Sequence, residues 1–192
     1  MDFKIDRIIR DYLALRGESP DLLPVLEEGE DSAVLTLARE LTTRLPEAAI
    51  KATLATPRLM HDELKKMETK VTPDPAGHGI IRLPSDYLSF YSLKLKDWKE
   101  ELTAIEPPDT LRRALGSNAP PWMICSERPM AIEERDSEGL FLKIYGSDAF
   151  DLGATLFYAP RPEFDGEILT ISQAAYYLML YELSGASNSI PK

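Results

Sequence analysis

The sequence predicts an α+β fold, with N-terminal helices, a meandering antiparallel β-sheet and a C-terminal helix. Three observations predict this class. Apolar residues recur at helical spacing through the first sixty residues and again after residue 170. Between about 65 and 160 they alternate with polar residues, which is typical of strands with one solvated face. Most of the fifteen prolines lie in this central part, as expected for short antiparallel strands joined by turns.

Residues 1–60 are predicted to form a helical segment. The first helix has its apolar face on Ile5, Ile8, Ile9, Tyr12 and Leu13. Gly17 is placed to end it, and Ser19-Pro20 is suited to begin a short second helix. The third helix has its apolar face on Val34, Leu37, Ala38, Leu41 and Leu45. Pro46 is expected to interrupt or restart this helix, because proline has no N–H and clashes with the preceding turn.

Residues 61–169 are predicted to form an antiparallel β region with a short helical insert after Pro107. The alternating stretches that predict strands are 92–96, 140–144 and 152–158. The sequence Asp136-Ser137-Glu138-Gly139 predicts a hairpin connection, with glycine supplying a positive φ. The sequence from Pro73 to Gly77 predicts another turn.

Residues 170–186 are predicted to form a closing helix. The sequence Thr170-Ile171-Ser172-Gln173 fits a capping box at its start, and Gly185 suits its end. Its apolar stripe is predicted to comprise Ile171, Ala174, Tyr177, Leu178 and Tyr181. Residues 187–192 are expected to be a flexible tail, and the whole chain is expected to make one domain.

Composition and charge argue against several classes of partner. Lys and Arg total 22 and Asp and Glu total 32, which gives a net charge of −10 over 192 residues. A chain this acidic is poorly suited to bind nucleic acid or an anionic membrane. Its single cysteine excludes an intramolecular disulfide. The N-terminus lacks the basic start and apolar core of a signal peptide, so a cytoplasmic location is expected.

The candidates for metal binding or acid–base chemistry are the two histidines. His61 lies beside Asp62 and Glu63, an arrangement that could suit a metal ion or a general base. His78 lies in a Gly-His-Gly turn. A zinc site needs further ligands at suitable spacing, and no H-E-x-x-H or C-x-x-C motif occurs. Both histidines are therefore interpreted as surface residues.

Two groups of carboxylates and one thiol are further candidate sites. The acidic residues 27–31 lack the spacing of an EF-hand, and those at 133–138 fit an exposed hairpin tip better than a catalytic pair. Cys125 lies in an apolar run and is interpreted as a structural thiol. Phosphate-binding glycine motifs and the G-x-S-x-G motif are absent from the sequence. We therefore predict no catalytic, cofactor-binding or metal-binding residues, and no enzymatic activity.

A longer pattern extends across the β region. It combines a Leu-Pro-x-Asp-Tyr turn between strands, a strand ending at tryptophan, a strand ending at Tyr-Gly and a strand ending at Pro-x-Pro. The residues that carry it are Ile80–Leu88, Leu93–Trp98, Pro120-Pro121, Arg128-Pro129, Leu142–Gly146 and Tyr158–Pro162. This pattern resembles the small structural proteins of tailed bacteriophages, in particular the head–tail connector, adaptor and tail-tubular group. The layout is similar over residues 1–185, and the residue-level likeness covers about 80–162.

The resemblance implies a ring of identical subunits below the portal, through which genomic DNA passes. Its partners would be the portal and a neighbouring connector or tail ring, in the host cytoplasm during assembly and then in the virion. An acidic lumen would let DNA slide without specific recognition. Contacts to neighbours are expected from the helices, the hairpin at 136–139 and the tail. The tail residues proposed to bind a partner are Ser187, Asn188, Ile190 and Pro191.

Two alternatives remain open from the sequence. One is a protein–protein interaction module of a bacterial operon or mobile element with the same α+β fold. The other is a small hydrolase whose site is assembled from residues distant in sequence. Metal-dependent activity that is lost on changing His61 or His78 would favour the hydrolase.

Overall fold

The computed structural model describes residues 1–17, 33–56, 63–96, 98–107, 130–145 and 153–185. These residues form three helices and three antiparallel sheets, which confirms the predicted α+β class. In chain order the elements are β1 (Asp2–Lys4), α1 (Ile5–Leu15), α2 (Ala33–Ala55), β2 (Lys65–Lys70), β3 (Thr72–Pro73), β4 (Gly79–Arg82), β5 (Tyr87–Leu95), β6 (Met130–Asp136), β7 (Gly139–Tyr145), β8 (Gly153–Pro160), β9 (Glu163–Phe164), β10 (Ile168–Thr170) and α3 (Gln173–Leu183).

The chain divides into two compact units. The helical unit comprises Met1–Glu63 and Arg161–Lys192, and the β unit comprises Leu64–Pro160. The predicted β region continued to residue 169, whereas β9 and β10 belong to the helical unit. The reason is that β10 pairs with β1 and β9, so these three strands form a sheet of their own.

The first residues correct the prediction of a wholly helical N-terminal segment. β1 pairs antiparallel with β10, and Phe3 lies opposite Leu169. Phe3 is buried while Asp2 and Lys4 are exposed, which is the alternation of a strand rather than of a helix. The Phe3 ring stacks on the buried Tyr176 ring of α3, with ring centroids 3.8 Å apart.

The first helix is confirmed. In α1 the residues that enter the core of the helical unit are Ile8, Ile9, Tyr12 and Leu13. Gly17 has a φ of 72°, a left-handed conformation that glycine adopts without strain, and the helix ends just before it.

Pro46 does not interrupt the next helix, contrary to the prediction. α2 is continuous over 23 residues with Pro46 inside it. Leu41 and Leu45 before the proline and Ala49 and Ala52 after it all enter the same core. Burial of this helix face before and after the proline compensates for the backbone hydrogen bond that proline cannot make.

The start and the buried face of α3 also differ from the prediction. Ser172 is the N-cap, and its side chain accepts the backbone N–H of Ala175 at 3.1 Å, whereas Thr170 lies in β10. Tyr177, predicted to belong to the apolar stripe, is 56% exposed. The buried residues of the helix are Ala175, Tyr176, Met179, Leu180 and Leu183. Gly185 follows the end of the helix, as predicted.

The β unit contains two sheets that contribute to one core. Their strand orders are β2-β8-β5 and β3-β4-β7-β6, with all neighbours antiparallel. The predicted strands at 92–96, 140–144 and 152–158 correspond to β5, β7 and β8, and the hairpin at 136–139 joins β6 to β7. The largest fully buried side chains of this core are Ile81, Leu93, Leu95, Leu142, Ile144 and Leu156.

Several predicted features lie outside the described residues. They are the short helix after Ser19-Pro20, the acidic residues 27–31, His61, the helical insert after Pro107, Cys125 and the tail residues Ser187, Asn188, Ile190 and Pro191.

Candidate functional site

His78 belongs to a polar network at the turn between β3 and β4. Its Nδ1 lies 3.1 Å from Asp74 Oδ2, and the Lys143 ammonium of β7 lies 3.1 Å from the same oxygen. Asp74 Oδ1 accepts the backbone N–H groups of Ala76 and His78, at 2.8 and 2.7 Å. Gly77 within the turn has a φ of 82°, a conformation that lets the backbone reverse direction within this short turn. One carboxylate thus organises the turn and ties it to the sheet.

Asp74 is held in its ionised form. The backbone N–H of His78 and the ammonium of Lys143 keep the pKa of this carboxyl well below its usual range, against the opposing effect of burial. The Asp74 side chain is only 8% exposed, so the charge is largely shielded from water.

The chemistry available to His78 is defined by its two neighbours. The His78 ring packs against the Tyr145 ring, with centroids 4.7 Å apart. Among the described residues, no group of three or more His, Cys, Asp or Glu side chains is arranged to hold a metal ion. The contacts of His78 hold the turn against β7.

The carboxylates predicted to form a hairpin tip are paired across the sheet. Arg82 of β4 binds Asp136 at 2.7 Å and Glu138 at 2.8 Å. Asp136 Oδ1 also accepts the backbone N–H groups of Glu138 and Gly139. The Arg82 guanidinium lowers the pKa of Asp136. This hairpin is therefore fastened to β4 by charge-assisted hydrogen bonds.

The Leu-Pro-Ser-Asp-Tyr motif forms a clamp between strands. Asp86 accepts the hydroxyl of Tyr158 in β8 at 3.0 Å and the ammonium of Lys65 in β2 at 2.6 Å. The next residue, Tyr87, is buried and donates its hydroxyl to Glu133 of β6 at 2.8 Å. Burial and the bond to Asp86 raise the pKa of Tyr158 to about 12. Two adjacent residues thus connect β5 to strands of both sheets.

Two sheet-end strands of the β unit carry opposite charge. β2 ends its sheet, and its charged residues are Lys65, Lys66, Glu68 and Lys70. β6 ends the other sheet, and its charged residues are Glu133, Glu134, Arg135 and Asp136. We call β2 the basic edge and β6 the acidic edge.

The large apolar side chains exposed among the described residues all lie in the helical unit. They are Met1, Leu15, Leu54, Ile168 and Tyr177. Tyr177 is the largest of them and extends from α3 beside the buried Tyr176.

The residues at the centre of these networks, Asp74, Arg82, Asp86 and Lys143, were not singled out as site residues from the sequence. The Asp-Pro-x-Gly turn is a local signal that could have identified Asp74. The partners of Arg82 and Lys143 are 54 and 69 residues away, and periodicity carries no information on such pairs.

The chain matches no model of a known protein family, and a search of curated proteins also finds no match. Within the described residues, none of the helices has the length and apolar character needed to cross a lipid bilayer.

Proposed function

We propose that the chain is a non-enzymatic structural protein of a tailed bacteriophage or prophage, acting as a head–tail connector or adaptor subunit. The observation that carries the proposal is the clamp made by Asp86 and Tyr87. Both residues belong to the pattern on which the resemblance to connector proteins rests, and their side chains bind neighbouring strands. A motif whose side chains hold strands together suits a structural subunit.

The other polar networks support the same proposal. His78, Asp136 and Glu138 are ionisable residues of the kind that acid–base chemistry uses, and here they bind Asp74 and Arg82 within the fold. Their charges stabilise turns and hairpins. These three ionisable side chains of the β unit therefore stabilise its fold, which is consistent with a structural role.

The distribution of charge bears on the expected acidic lumen. The described residues include 17 Lys and Arg and 20 Asp and Glu. The remainder of the chain includes 5 Lys and Arg and 12 Asp and Glu. Most of the negative excess therefore belongs to the remainder, including six acidic residues and no basic one between 18 and 31. We propose that these segments, above all residues 18–31, supply the field that repels DNA phosphate.

The first test is the sequence of the DNA that flanks the gene. Reading frames for a capsid-sized and a portal-sized protein within a few genes would support the proposal. Flanking genes of metabolism would contradict it and would favour the interaction module or the hydrolase. In that case His78→Ala is the first variant to assay, because His78 is the described histidine that contacts a carboxylate.

The second test is assembly with the portal protein encoded nearby. The full chain is co-expressed with it, purified through a tag on the portal and imaged by negative-stain electron microscopy. We expect a stoichiometric complex with an added ring of this chain. A portal that elutes without the chain, over a range of salt concentrations, would contradict the connector proposal.

A further inference from the structure

We propose that a groove in the β unit binds the tail, residues 187–192, of a neighbouring copy, with Ile190 in the groove and Lys192 beside Glu133. The inference rests on the proposed function, because it supplies a contact between the subunits of a ring. Every residue that lines the groove belongs to the β unit.

The groove lies beside the start of β5 and has a volume of about 290 Å³. Its apolar lining comprises Leu88, Phe90, Ala104 and Ile105. Phe90 and Ile105 are half-buried and pack against the core of the β unit, so each leaves part of its surface to the groove. This volume is at the lower limit for small-molecule pockets, so the groove suits one or two apolar side chains.

Backbone hydrogen bonds hold both ends of the wall that faces β5. Leu93 and Leu102 exchange two backbone bonds of 2.8 Å, and the N–H of Glu106 donates to the carbonyl of Ala131 at 3.0 Å. Residues 103–105 lie between these two attachments and form the wall. The groove is therefore present before anything binds, which lowers the entropic cost of binding.

The β5 side of the groove is irregular. The pairing of β5 with β8 shifts register between Tyr87 and Ser89 and again between Phe90 and Ser92. Such bulges bend a strand and redirect its side chains, and they are common next to functional sites. Leu88, which lies within the first shift, lines the groove.

The tail provides side chains that match this lining. Ile190 precedes Pro191, and the residue before a proline favours an extended backbone. In an extended segment, residues two apart in sequence project from the same face. Ile190 can therefore enter the apolar part of the groove while Lys192 reaches its acidic side.

Charge favours the tail over two other segments outside the described residues. Glu133, an exposed carboxylate of the acidic edge, lines the groove, and its Oε2 accepts the Tyr87 hydroxyl. The tail has one lysine and no acidic residue. Residues 18–31 have six acidic residues and residues 146–152 have two, with no basic residue in either segment. Like charge opposes binding of these segments beside Glu133.

The proposed contact joins two different surfaces of the chain. Such a heterologous contact propagates from copy to copy and closes into a ring when the rotation allows. Seven residues follow Gly185 and span at most about 25 Å when extended, so the groove of the neighbour must lie within that distance. A ring binds the portal through many sites at once, so loss of the tail contact would also weaken attachment to the portal.

The first experiment measures binding of a fluorescent peptide comprising residues 184–192 by fluorescence anisotropy. The protein is the full chain with Ile190→Ser, so that its own tail competes weakly. We expect saturable binding of the wild-type peptide. The peptide with Ile190→Ser should bind at least about tenfold more weakly, because it loses the buried apolar side chain. The control peptide, with Ala186→Ser outside the tail, should bind within about twofold of wild type.

Changes in the groove test where the peptide binds. Ala104→Arg places a long cationic side chain in the groove from an exposed position, and we expect it to weaken binding at least about tenfold. Glu133→Gln removes the charge, while the glutamine can still accept the Tyr87 hydroxyl, and should weaken binding about two- to fivefold. The matched control, Glu134→Gln, changes a neighbouring carboxylate that does not line the groove and should have little effect. Circular dichroism melts establish that each variant is folded.

A double-variant cycle tests the orientation of the tail. The peptide with Lys192→Ser should bind the groove about two- to fivefold more weakly than the wild-type peptide. Against the Glu133→Gln chain the same peptide should lose nothing further, because the two changes remove one interaction. Independent, additive losses would show that Lys192 does not lie beside Glu133.

A mixing experiment distinguishes binding between copies from binding within one copy. Sedimentation velocity is measured for full chains with Ala104→Arg, with Ile190→Ser and for their equimolar mixture. Each variant alone should associate at least about tenfold more weakly than wild type. The mixture should form dimers and nothing larger, because the intact tail of one variant binds the intact groove of the other and no second junction is available.

The outcomes separate this inference from the proposed function. If the peptide does not bind, or binds the Ala104→Arg chain equally well, the groove is not the site of the tail; occupation of the groove by residues 108–129 of the same copy would give this result. If the peptide binds but the mixture stays monomeric, the contact between copies is wrong. Rings on the portal in either case leave the connector proposal standing. If the peptide and the mixture behave as expected but no ring forms on the portal, the connector proposal fails and the tail contact stands.

Discussion

At the scale of single residues, the fold depends on side chains that satisfy several backbone groups at once. Asp74 binds two backbone N–H groups, a histidine and a lysine, and Asp86 binds two strands. Such residues combine turn formation with cross-strand pairing, so their loss leaves several donors without this acceptor, some of them partly buried. They are the positions where a conservative substitution should have a large effect.

Replacing Asp74 with asparagine should lower stability in a pH-dependent way. The folded pKa of Asp74 lies below the unfolded value of about 3.9, so its ionised form stabilises the fold above that pH. This contribution is lost as the pH falls toward the folded pKa. We expect the difference in unfolding free energy between wild type and Asp74→Asn to be present at pH 5 and above and to narrow below about pH 4.

Urea denaturation at pH 7, 5 and 3.5 measures this difference. The matched control is Glu100→Gln, which removes an exposed carboxylate of the same unit and should track wild type at each pH. A difference that persists unchanged at the lowest pH would show that the Asp74 charge is not what stabilises the turn.

Gly79 is required by close packing rather than by backbone conformation. A Cβ at this position would lie 2.5 Å from Cγ1 of Val71. We expect Gly79→Ala to destabilise the protein by about 1–3 kcal/mol. Gly153→Ala is the matched control, because nothing lies within 4 Å of its Cβ, and it should change stability by about 0.5 kcal/mol or less.

A double variant tests the cause. Val71→Ala removes the methyl group that the new Cβ would meet, so the paired substitution should cost less than the sum of the single ones in urea denaturation. Equal effects of Gly79→Ala and Gly153→Ala would contradict the steric explanation.

At the scale of elements, the local sequence is enough to predict the buried face of a helix where one face is clearly apolar. The helix α1 has a single apolar stripe, so spacing predicts its buried face, and Gly17 predicts its end. The helix α3 is apolar around most of its circumference, so spacing does not define which face is buried. Tyr176 is buried and Tyr177 is exposed because the Tyr176 ring stacks on Phe3, a residue far away along the chain.

Pro46 is a second case in which tertiary packing outweighs the local sequence signal. Its position inside α2 removes one backbone hydrogen bond, and burial of the apolar face of the helix compensates for that loss. We expect Pro46→Ala to raise the unfolding free energy by about 1–2 kcal/mol, because the restored bond outweighs the added entropy of the unfolded chain. The control is Arg44→Ala, which changes an exposed residue within one helical turn of Pro46. Its unfolding free energy should stay within about 0.5 kcal/mol of that of wild type.

Thermal and urea unfolding of the two variants check this expectation. Destabilisation by Pro46→Ala would mean that the proline makes a packing contact on which the helix depends.

At the scale of the whole molecule, the proposed function requires contacts that extend beyond the described residues. The tail residues Ser187, Asn188, Ile190 and Pro191 remain the predicted partner-binding residues. A short segment at the end of a chain that folds on docking is a common means of binding a partner.

Removal of residues 186–192 should separate folding from partner binding. We expect the truncated chain to keep its unfolding free energy within about 0.5 kcal/mol and to lose binding to the portal in a pull-down assay. Ile190→Ser should reproduce much of the loss, because Ile190 is the apolar anchor, and Lys192→Ser should not. Unchanged binding by the truncated chain would remove the tail from the proposed interface.

The sequence by itself determined the class of the fold, the buried face of α1 and the hairpin at 136–139, because spacing and turn residues act locally. Only the tertiary structure decided that β1 pairs with β10, that α2 continues through Pro46 and that Arg82 binds Asp136. Each of these depends on packing between residues distant along the chain, and alternation defines the faces of a strand but not its neighbours.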